Sequence, residues 1–336
     1  MLNLKLTFLT PPIHDLPTGG NIYNRRIMEA LEDMEGISVA NKSSRDGEEV
    51  RNLDAYDAVL VDSLLADEKR PEGFDGLWCL LVHYLTICDP SASEVDKRRL
   101  EREWLKQYDR FITTSHYSRN CLIKTGISPD FIHVVYPGLE EVYRSYELAS
   151  VQSADTCELL TVASLLPGKG LLECLSMLEN LADHSWTWNI IGEGSLNPSY
   201  TDFFIKTLSD SRVSDRVFWD GPLEESLMPE MYRSHDLLVV PSFFETLGMS
   251  IREAMASGLP VIAYDVGGIM ESLIGGGGVL VDPFHEERMQ EEVGRLLVSP
   301  EERSALGEQG LTQSKRFPSW SQSARALSDV IRSWVE

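Results

Sequence analysis

Apolar residues follow two different patterns along the chain. Short continuous runs predict buried strands, and stretches in which apolar residues return every three or four positions predict amphipathic helices. In the first half the predicted strands are 4–9, 37–40, 58–61, 77–82, 110–114 and 132–136. In the second half they are 159–164, 188–191, 217–221, 237–240, 261–263 and 279–281. Helical patterns alternate with these strands, which predicts parallel, doubly wound sheets.

A polar segment with little periodicity, residues 139–155, separates the two series of strands and is interpreted as an interdomain connection. The 336 residues are also too many for one comfortable core and suit two domains. We therefore predict an α/β protein with two Rossmann-like doubly wound domains facing across a cleft, at residues 1–145 and 155–318. Three helical segments follow the last strand, and the final one, about 319–336, is expected to pack back on the first domain.

Charge and cysteine content narrow the classes of partner. The net charge is −23, from 30 basic and 53 acidic residues, which disfavours nucleic acid and docking on an anionic membrane. The five cysteines are widely spaced and predict reduced thiols rather than a metal site. The chain has no apolar run of transmembrane length, and its first residues predict a strand rather than a signal peptide. We expect a cytoplasmic protein.

The stretch most informative about function is residues 241–260, a loop and a helix between two predicted strands. Gly258 stands where a helix C-cap belongs, and Pro260 prevents continuation. Glu245 is placed in the loop, where the helix begins, and Glu253 lies eight positions further on. At a rise of about 1.5 Å per residue the two carboxylates are expected roughly 12 Å apart. At that distance they cannot act on one atom, but they can hold opposite ends of an extended ligand.

Three further motifs are candidates for ligand contact, each with a plain structural alternative. Gly19 and Gly20 precede a predicted helix that Asn21 can cap. Bare backbone amides there favour an anion, although a simple strand-to-helix turn explains the glycines equally. His83 follows a predicted strand, at the edge of an open sheet where ligands bind, although a lone histidine is more often structural. Lys169 lies between glycines before a helix and is either a phosphate ligand or a solvated turn lysine.

Together these motifs carry a family resemblance. The E-x7-E pattern from Glu245 to Glu253, with the surrounding string 236–263 and the segment 278–283, resembles retaining glycosyltransferases of the GT-B fold, in particular family 4. In the first half, Gly19-Gly20, His83 and Pro137-Gly138 stand where that family has its glycine loop, its active-site histidine and the approach to its hinge. The resemblance spans nearly the whole chain and is densest in residues 217–283.

The resemblance implies a nucleotide-sugar donor bound mainly by the second domain and an acceptor hydroxyl, of unknown identity, on the first. Lys169 would bind the donor diphosphate, Glu253 the ribose, and Glu245 the sugar near the reacting carbon. The remaining implied contacts are Gly19, Gly20 and the backbone amides of Thr246, Leu247 and Gly248 with the diphosphate, and His83 with the sugar and the reaction centre. These fixed donors suit the negative charge that develops on a leaving nucleoside diphosphate. With such a clamp neither a metal nor another cofactor is expected, and the sequence holds no Asp-x-Asp site for a metal.

One position departs from the family pattern. Ser164 stands where the family usually has an arginine, five positions before Lys169, so half of the cationic clamp is missing. Losing one charge-assisted hydrogen bond costs roughly 1.5–3 kcal/mol if nothing replaces it. The sequence offers possible replacements in Arg25, Arg26, Arg119 and Arg252.

Ser164 keeps a second hypothesis open, a weakly active or non-catalytic partner subunit that binds nucleotide sugar. A third, a Rossmann-type oxidoreductase, lacks the G-x-G-x-x-G fingerprint with its acidic residue about 20 positions on. The sequence leaves the donor base and sugar, the acceptor and the oligomeric state open.

Overall fold

A computed structural model describes residues 3–13, 16–43, 53–90, 92, 94–144 and 156–335. The chain divides into two compact units. The first unit comprises Met1–Gly138 and Pro318–Glu336, and the second unit comprises Leu139–Phe317. Most of the predicted connection, residues 145–155, lies outside the described residues.

The first unit is a six-stranded parallel sheet with helices. Its strands are β1 (Leu4–Thr10), β2 (Ile37–Ser43), β3 (Ala58–Asp62), β4 (Leu77–Val82), β5 (Arg110–Thr113) and β6 (Ile132–Val134). Its helices are α1 (Gly19–Glu32), α2 (Val95–Trp104), α3 (His116–Lys124) and, from the far end of the sequence, α12 (Trp320–Val335). The strand order is β2-β1-β3-β4-β5-β6.

The second unit is also a six-stranded parallel sheet, in the order β12-β11-β10-β7-β8-β9. Its strands are β7 (Cys157–Val162), β8 (Trp186–Ile191), β9 (Val217–Gly221), β10 (Leu237–Val240), β11 (Val261–Tyr264) and β12 (Gly278–Val281). Its helices are α4 (Glu141–Arg144), α5 (Leu171–Asn180), α6 (Pro198–Asp210), α7 (Met228–Ser234), α8 (Met249–Ala256), α9 (Ile269–Leu273), α10 (Glu286–Leu297) and α11 (Pro300–Ser314). The two units confirm the predicted fold class, an α/β protein with two Rossmann-like doubly wound sheets.

Continuous apolar strands are explained by burial on both faces of the sheet. In β10, Leu237 and Val239 enter one hydrophobic core, while Leu238 and Val240 enter the core on the opposite face. Successive side chains point to opposite faces, so every position of a strand covered on both sides must be apolar.

Each sheet has one point where the strand order reverses. In the first unit it lies between β1 and β3, and in the second between β7 and β10. Loops leave these strand pairs in opposite directions, and the crevice at their carboxyl ends is where open α/β sheets bind ligands. In the second unit, residues 163–170 and 241–248 therefore lie beside each other at such a point.

The boundary between the units differs from the predicted residue 145. Residues 139–144 belong to the second unit because α4 is fixed there. Tyr143 packs edge-on against Tyr232 with ring centroids 5.9 Å apart, and the Arg144 guanidinium donates to the Phe317 carbonyl. These long-range partners are invisible in the local composition on which the prediction rested.

The helix α12 belongs to the first unit although it follows the whole second unit in sequence. It packs against α1, where Trp320 meets Tyr23 edge-on at 5.7 Å, and Leu327 and Ile331 are fully buried. Near its other end, Arg332 donates to the Gly36 carbonyl at 3.0 Å. None of the described helices has the length and apolar character needed to cross a membrane.

Candidate functional site

Lys169 and Glu245 meet in the second unit. Lys169 ends the short turn Pro167–Lys169 after β7, and Glu245 lies in the loop after β10. The distance from Lys169 Nζ to Glu245 Oε1 is 2.6 Å, and the Ser242 hydroxyl donates to the same oxygen at 3.0 Å. Both side chains are partly buried, with 25% and 19% of their surface exposed. Two residues predicted separately as ligands, 76 positions apart, thus form an ion pair at the strand reversal.

The two loops that carry this pair touch through their backbones. Gly170 has a φ of +66°, and a Cβ on it would lie 2.0 Å from the Pro241 carbonyl oxygen. The Phe243 amide donates to the Gly168 carbonyl at 2.9 Å. Gly170 therefore allows the two loops to close on each other, which fixes the lysine beside the Glu245 loop.

A second glycine pair supports the Glu245 loop from the other side. The Gly268 amide donates to the Glu245 carbonyl at 2.9 Å. Gly267 has a φ of +58°, and a Cβ on it would lie 1.8 Å from that same carbonyl oxygen. A Cβ on Gly268 would lie 2.1 Å from the Thr246 carbonyl oxygen. Any larger residue at these positions would displace the loop.

The helix after Glu245 begins later than predicted. Gly248, with a φ of +78°, is the N-cap of α8, so the helix starts at Met249. Glu245 lies in the preceding loop, as predicted, but Leu247, which was predicted on the helix, lies in that loop too, so helical rise alone does not give the carboxylate separation. The left-handed conformation of Gly248 stops the helix from extending back, although the apolar pattern continues to Leu247, whose side chain is buried.

Two helix N-termini at this reversal carry glycine at the N-cap. These are Gly170 before α5 and Gly248 before α8, and among the described residues no side chain caps either helix. The first amides of a helix have no partner within it, and the helix dipole makes that end favourable for an anion. The amides that follow Gly170 and Gly248 are thus suited to receive phosphate oxygens beside the Lys169 ammonium group.

Glu253 lies inside α8 and is held by a residue that the sequence analysis missed. The hydroxyl of Tyr232, on α7, donates to Glu253 Oε2 at 2.7 Å, and the tyrosine is fully buried. Burial raises the pKa of Glu253 to about 7, and the negative charges of Glu225 and Glu140 add to the increase. The only signal for Tyr232 in the sequence is that a buried tyrosine hydroxyl needs a partner.

Ser164 lies half-buried just after β7. Of the arginines proposed to replace the missing charge, Arg252 is buried, donates from Nε to Ser272 Oγ at 3.0 Å and covers the Phe317 ring. Arg25 and Arg26 are in the first unit, where both contact Glu29. Each of these three side chains therefore has partners other than Ser164.

The predicted residues of the first unit also come together. Gly19 and Gly20 are the first residues of α1, and a Cβ on Gly20 would lie 3.3 Å from His83 Cδ2. The cap of this helix is Thr18 rather than the predicted Asn21, and the Thr18 hydroxyl accepts from the Asn21 amide at 3.3 Å. The Asn21 side chain instead donates to the Leu16 carbonyl and ties the preceding loop to the helix.

His83 is fixed by three polar residues that were not predicted, Asn24, Asp62 and Ser63. Its Nε2 lies 2.9 Å from Asn24 Oδ1, and the Asn24 amide donates to Asp62 Oδ2 at 2.6 Å. The hydroxyl of Ser63 accepts from the His83 and Tyr84 amides at 3.0 and 3.1 Å. Burial lowers the pKa of His83, and the negative charge of Asp62 opposes that change. The imidazole is therefore neutral at pH 7.

Within the described ranges, no three histidine, cysteine or acidic side chains cluster closely enough to hold a metal ion. All five cysteines are free thiols.

Comparison with known proteins places these features in context. Residues 150–313 match the family model described as glycosyl transferases group 1. A D-inositol 3-phosphate glycosyltransferase from Segniliparus rotundus is 34% identical over 257 residues, which cover 73% of this chain and 57% of that protein. One from Corynebacterium glutamicum is 29% identical over 72% of this chain and 62% of that protein. The chain thus spans somewhat more than half the length of these relatives.

Solved structures share the fold at low sequence identity. A sucrose-phosphate synthase from Thermosynechococcus elongatus matches with a TM-score of 0.84 at 18% identity, over 98% of this chain and 99% of that one. The structure of Anabaena HepE in complex with UDP-glucose matches with a TM-score of 0.81 at 16% identity, over 98% of this chain and 100% of that one.

Proposed function

Since residues 150–313 belong to the glycosyl transferases group 1 family, we propose that the chain is a retaining glycosyltransferase. It transfers a hexose from a UDP- or GDP-sugar to an acceptor hydroxyl. The observation that carries the proposal is the Lys169–Glu245 pair beside two glycine-capped helix N-termini at the strand reversal of the second unit. An ammonium group, free amides and a carboxylate in one place suit a ligand with a diphosphate at one end and sugar hydroxyls at the other.

The donor is the better supported of the two substrates. A protein of the same fold, HepE, has been crystallised with UDP-glucose, which makes a UDP-hexose the first donor to test. Glu253 accepts a hydrogen bond from Tyr232 through one oxygen and would offer the other to a ribose hydroxyl. For the acceptor, the relatives are named after D-inositol 3-phosphate, so a hydroxyl of a phosphorylated cyclitol is the first acceptor to test.

The proposed reaction breaks the bond between the anomeric carbon and the diphosphate oxygen. The acceptor oxygen bonds to the same face of that carbon, and the acceptor proton passes to the departing diphosphate. Lys169 and the amides of α5 and α8 stabilise the charge that the diphosphate gains, and fixed donors of this kind usually supply most of the rate enhancement. Glu245 lies against the sugar and stabilises its positive character in the transition state. A double displacement through Glu245 is the mechanistic alternative.

The first test is a thermal-shift panel of UDP-, GDP- and ADP-sugars, followed by transfer assays with the donor that stabilises the protein most. Stabilisation by none of these donors would contradict a nucleotide-sugar enzyme. Glu245→Ala is then expected to abolish transfer while the circular dichroism spectrum and melting temperature stay close to those of the wild type. Full transfer by that variant would refute the role of Glu245.

The role of Lys169 is tested by binding rather than by turnover. Lys169→Ala is expected to weaken UDP binding by about 10-fold or more, because a charge-assisted hydrogen bond is worth roughly 1.5–3 kcal/mol. Lys206, on α6, is a control lysine of the same unit, and Lys206→Ala should leave UDP affinity unchanged. Equal affinity of wild type and Lys169→Ala would contradict the diphosphate contact.

A second candidate, a partner subunit that binds nucleotide sugar without turning it over, is favoured by one observation. Ser164 stands at the position of the expected arginine, and Arg252 is committed to Ser272 and Phe317. Slow hydrolysis of the donor by the isolated chain would support the enzyme. Tight nucleotide binding without hydrolysis or transfer to any acceptor would support the partner subunit.

A further inference from the structure

The geometry around His83 determines which ring nitrogen carries the proton. Both oxygens of Asp62 accept hydrogen bonds, Oδ2 from the Asn24 side chain at 2.6 Å and Oδ1 from the Leu64 amide at 2.8 Å. The Asn24 amide nitrogen is thus committed to the carboxylate, and its oxygen faces His83 Nε2 at 2.9 Å. A carbonyl oxygen can only accept, so Nε2 must be the protonated nitrogen.

Burial keeps this arrangement in place. Asp62 retains 1% of its side-chain surface, and Asn24 is fully buried. Asp62 Oδ2 lies 3.7 Å from His83 Nε2, so the carboxylate acts on the ring mainly through the asparagine. The neighbours of the imidazole are Asn24, Asp62, Gly20 and the ring of Tyr23, which meets it edge-on at 5.0 Å.

The opposite nitrogen remains free to bind a ligand. Gly20 lies over the Cδ2–Cγ edge of the ring, and Asn24 lies at Nε2. In the described part of the chain, Nδ1 has no hydrogen-bond partner, while the side chain keeps 10% of its surface. A neutral imidazole protonated at Nε2 presents a lone pair at Nδ1. That lone pair accepts a hydrogen bond and cannot donate one.

We propose that Asn24 and Asp62 are positioning residues that hold His83 in the neutral Nε2–H tautomer, so that Nδ1 binds a substrate hydroxyl group. The pair selects for hydrogen-bond donors, because phosphate and carbonyl oxygens at Nδ1 would face a lone pair. The tautomer follows from contacts inside the first unit alone, whereas the hydroxyl ligand rests on the proposed function.

The tautomer is tested on the full chain with 15N-labelled histidine, by long-range 1H–15N correlation spectra at pH 7.5. The resonance of His83 is assigned from its loss in His83→Gln. In the wild type, Nε2 should have the shift of a protonated nitrogen and Nδ1 that of an unprotonated one. A protonated Nδ1 in the wild type would overturn the proposal.

Asp62→Asn is the most informative variant because it preserves shape and removes the acceptor that orients Asn24. The Asn24 amide is then free to turn, present its NH2 group to Nε2 and favour the Nδ1–H tautomer. An analogous carboxylate-to-amide change behind the histidine of a serine protease stabilises the wrong tautomer. Asn24→Ala should leave a mixture of tautomers. Asn21→Ala is the control, since it removes a buried asparagine of the same helix that contacts Leu16 instead of His83.

Activity measurements then separate this proposal from the proposed function. With a donor that the wild type uses, Asp62→Asn should reduce kcat/KM at least 10-fold, and UDP affinity should change less than 2-fold. A change of tautomer in a protein that transfers no sugar would refute the glycosyltransferase but support the positioning pair. Unchanged tautomers in both Asp62→Asn and Asn24→Ala, in folded protein, would overturn the positioning pair whatever the activity. The Nδ1 chemical shift is also compared between the complexes with UDP-glucose and with UDP alone. If the wild type transfers sugar but the two shifts are equal, Nδ1 does not bind a sugar hydroxyl group.

Discussion

At the scale of single residues, the Glu245 carboxylate pairs with the ammonium group of Lys169, the cation proposed to bind the diphosphate. We expect Glu245→Gln to bind UDP about 1.4- to 5-fold more tightly than the wild type, because a partly exposed ion pair is worth roughly 0.2–1 kcal/mol. Isothermal titration calorimetry at low ionic strength measures the effect. Ser242→Ala, which removes only a neutral hydrogen-bond donor to the same oxygen, should change UDP affinity less. Weaker binding by Glu245→Gln would show that the carboxylate assists the diphosphate rather than competing with it.

The raised pKa of Glu253 predicts how stability depends on pH. In the unfolded chain the pKa of a glutamate is about 4.3, whereas burial raises the pKa of Glu253 to about 7 in the folded protein. Between these values the folded state binds more protons, so stability falls as pH rises through this window. Glutamine keeps the acceptor for Tyr232 without the charge. Glu253→Gln should therefore be more stable than the wild type at pH 8, by about 1–3 kcal/mol.

The comparison is made by urea denaturation at pH 8 and at pH 4.5. The advantage of Glu253→Gln should nearly vanish at the lower pH, because the wild-type carboxyl group is then protonated in the folded state. Glu271→Gln is a control for a general loss of negative charge from this acidic protein. An advantage independent of pH would mean that Glu253 is ionised throughout the range.

The sequence predicted the residue types of the candidate site better than their partners. Lys169, Glu245, Glu253 and His83 were selected from motifs, because the spacing of a loop and a helix is a local property. Their partners come from other elements, as Tyr232 does for Glu253 and Asp62 does for His83. A local pattern contains no information on which of many tyrosines or aspartates the fold brings near.

At the scale of elements, glycines decide how closely two loops approach. Gly267→Ala should unfold at lower urea concentration than the wild type and lose most transfer activity, because its Cβ would lie 1.8 Å from the Glu245 carbonyl oxygen. Gly221→Ala is the matched control. Gly221 also has a positive φ, +71°, but its Cβ would meet no described atom within 4 Å.

The control variant should lose only the roughly 1–2 kcal/mol that a left-handed conformation costs any other residue. Gly267→Ala should lose more, by the additional displacement of the Glu245 loop. Equal losses in the two variants would mean that the loop shifts freely and that the contact does not position Glu245.

Strands were easier to predict than helix boundaries. Every predicted strand is present, since an apolar run buried on both faces has few alternatives. Helix starts were less reliable, because they depend on the conformation of one residue. The helix α8 begins after Gly248 rather than directly after Glu245, and Thr18 rather than Asn21 caps α1. Both cases turn on φ angles and capping bonds that a hydrophobic pattern does not encode.

At the scale of the whole molecule, α12 connects the stability of the first unit to residues far along the chain. Leu327→Ala should destabilise the first unit by about 2–5 kcal/mol, as expected for a buried leucine. Hydrogen exchange followed by mass spectrometry should show faster exchange in β1, β2 and α1. Leu178→Ala, in the core of the second unit, should give the opposite pattern, with faster exchange in β7, β8 and α5. Uniformly faster exchange in both variants would mean that the two units unfold together.

The two-unit organisation was largely foreseeable, because two series of alternating strands and helices are visible in the sequence. The sequence analysis expected the last helix to pack on the first domain, but no pattern within 319–336 identifies the residues that it contacts. Its hydrophobic face predicts that it is packed against another element. The contacts of Trp320 with Tyr23 and of Arg332 with Gly36 show that this element belongs to the first unit.

The place of α12 in the sequence has a consequence for synthesis on the ribosome. The first unit emerges first, yet the helix that covers α1 follows the whole of the second unit, Leu139–Phe317. At about 5–20 residues per second, this leaves the apolar surface around Tyr23 and Ile27 without its cover for roughly 10–40 s. The second unit, by contrast, is contiguous and can fold as soon as it has emerged. Nascent chains of this protein should therefore present a binding surface to chaperones in the first unit until α12 has emerged.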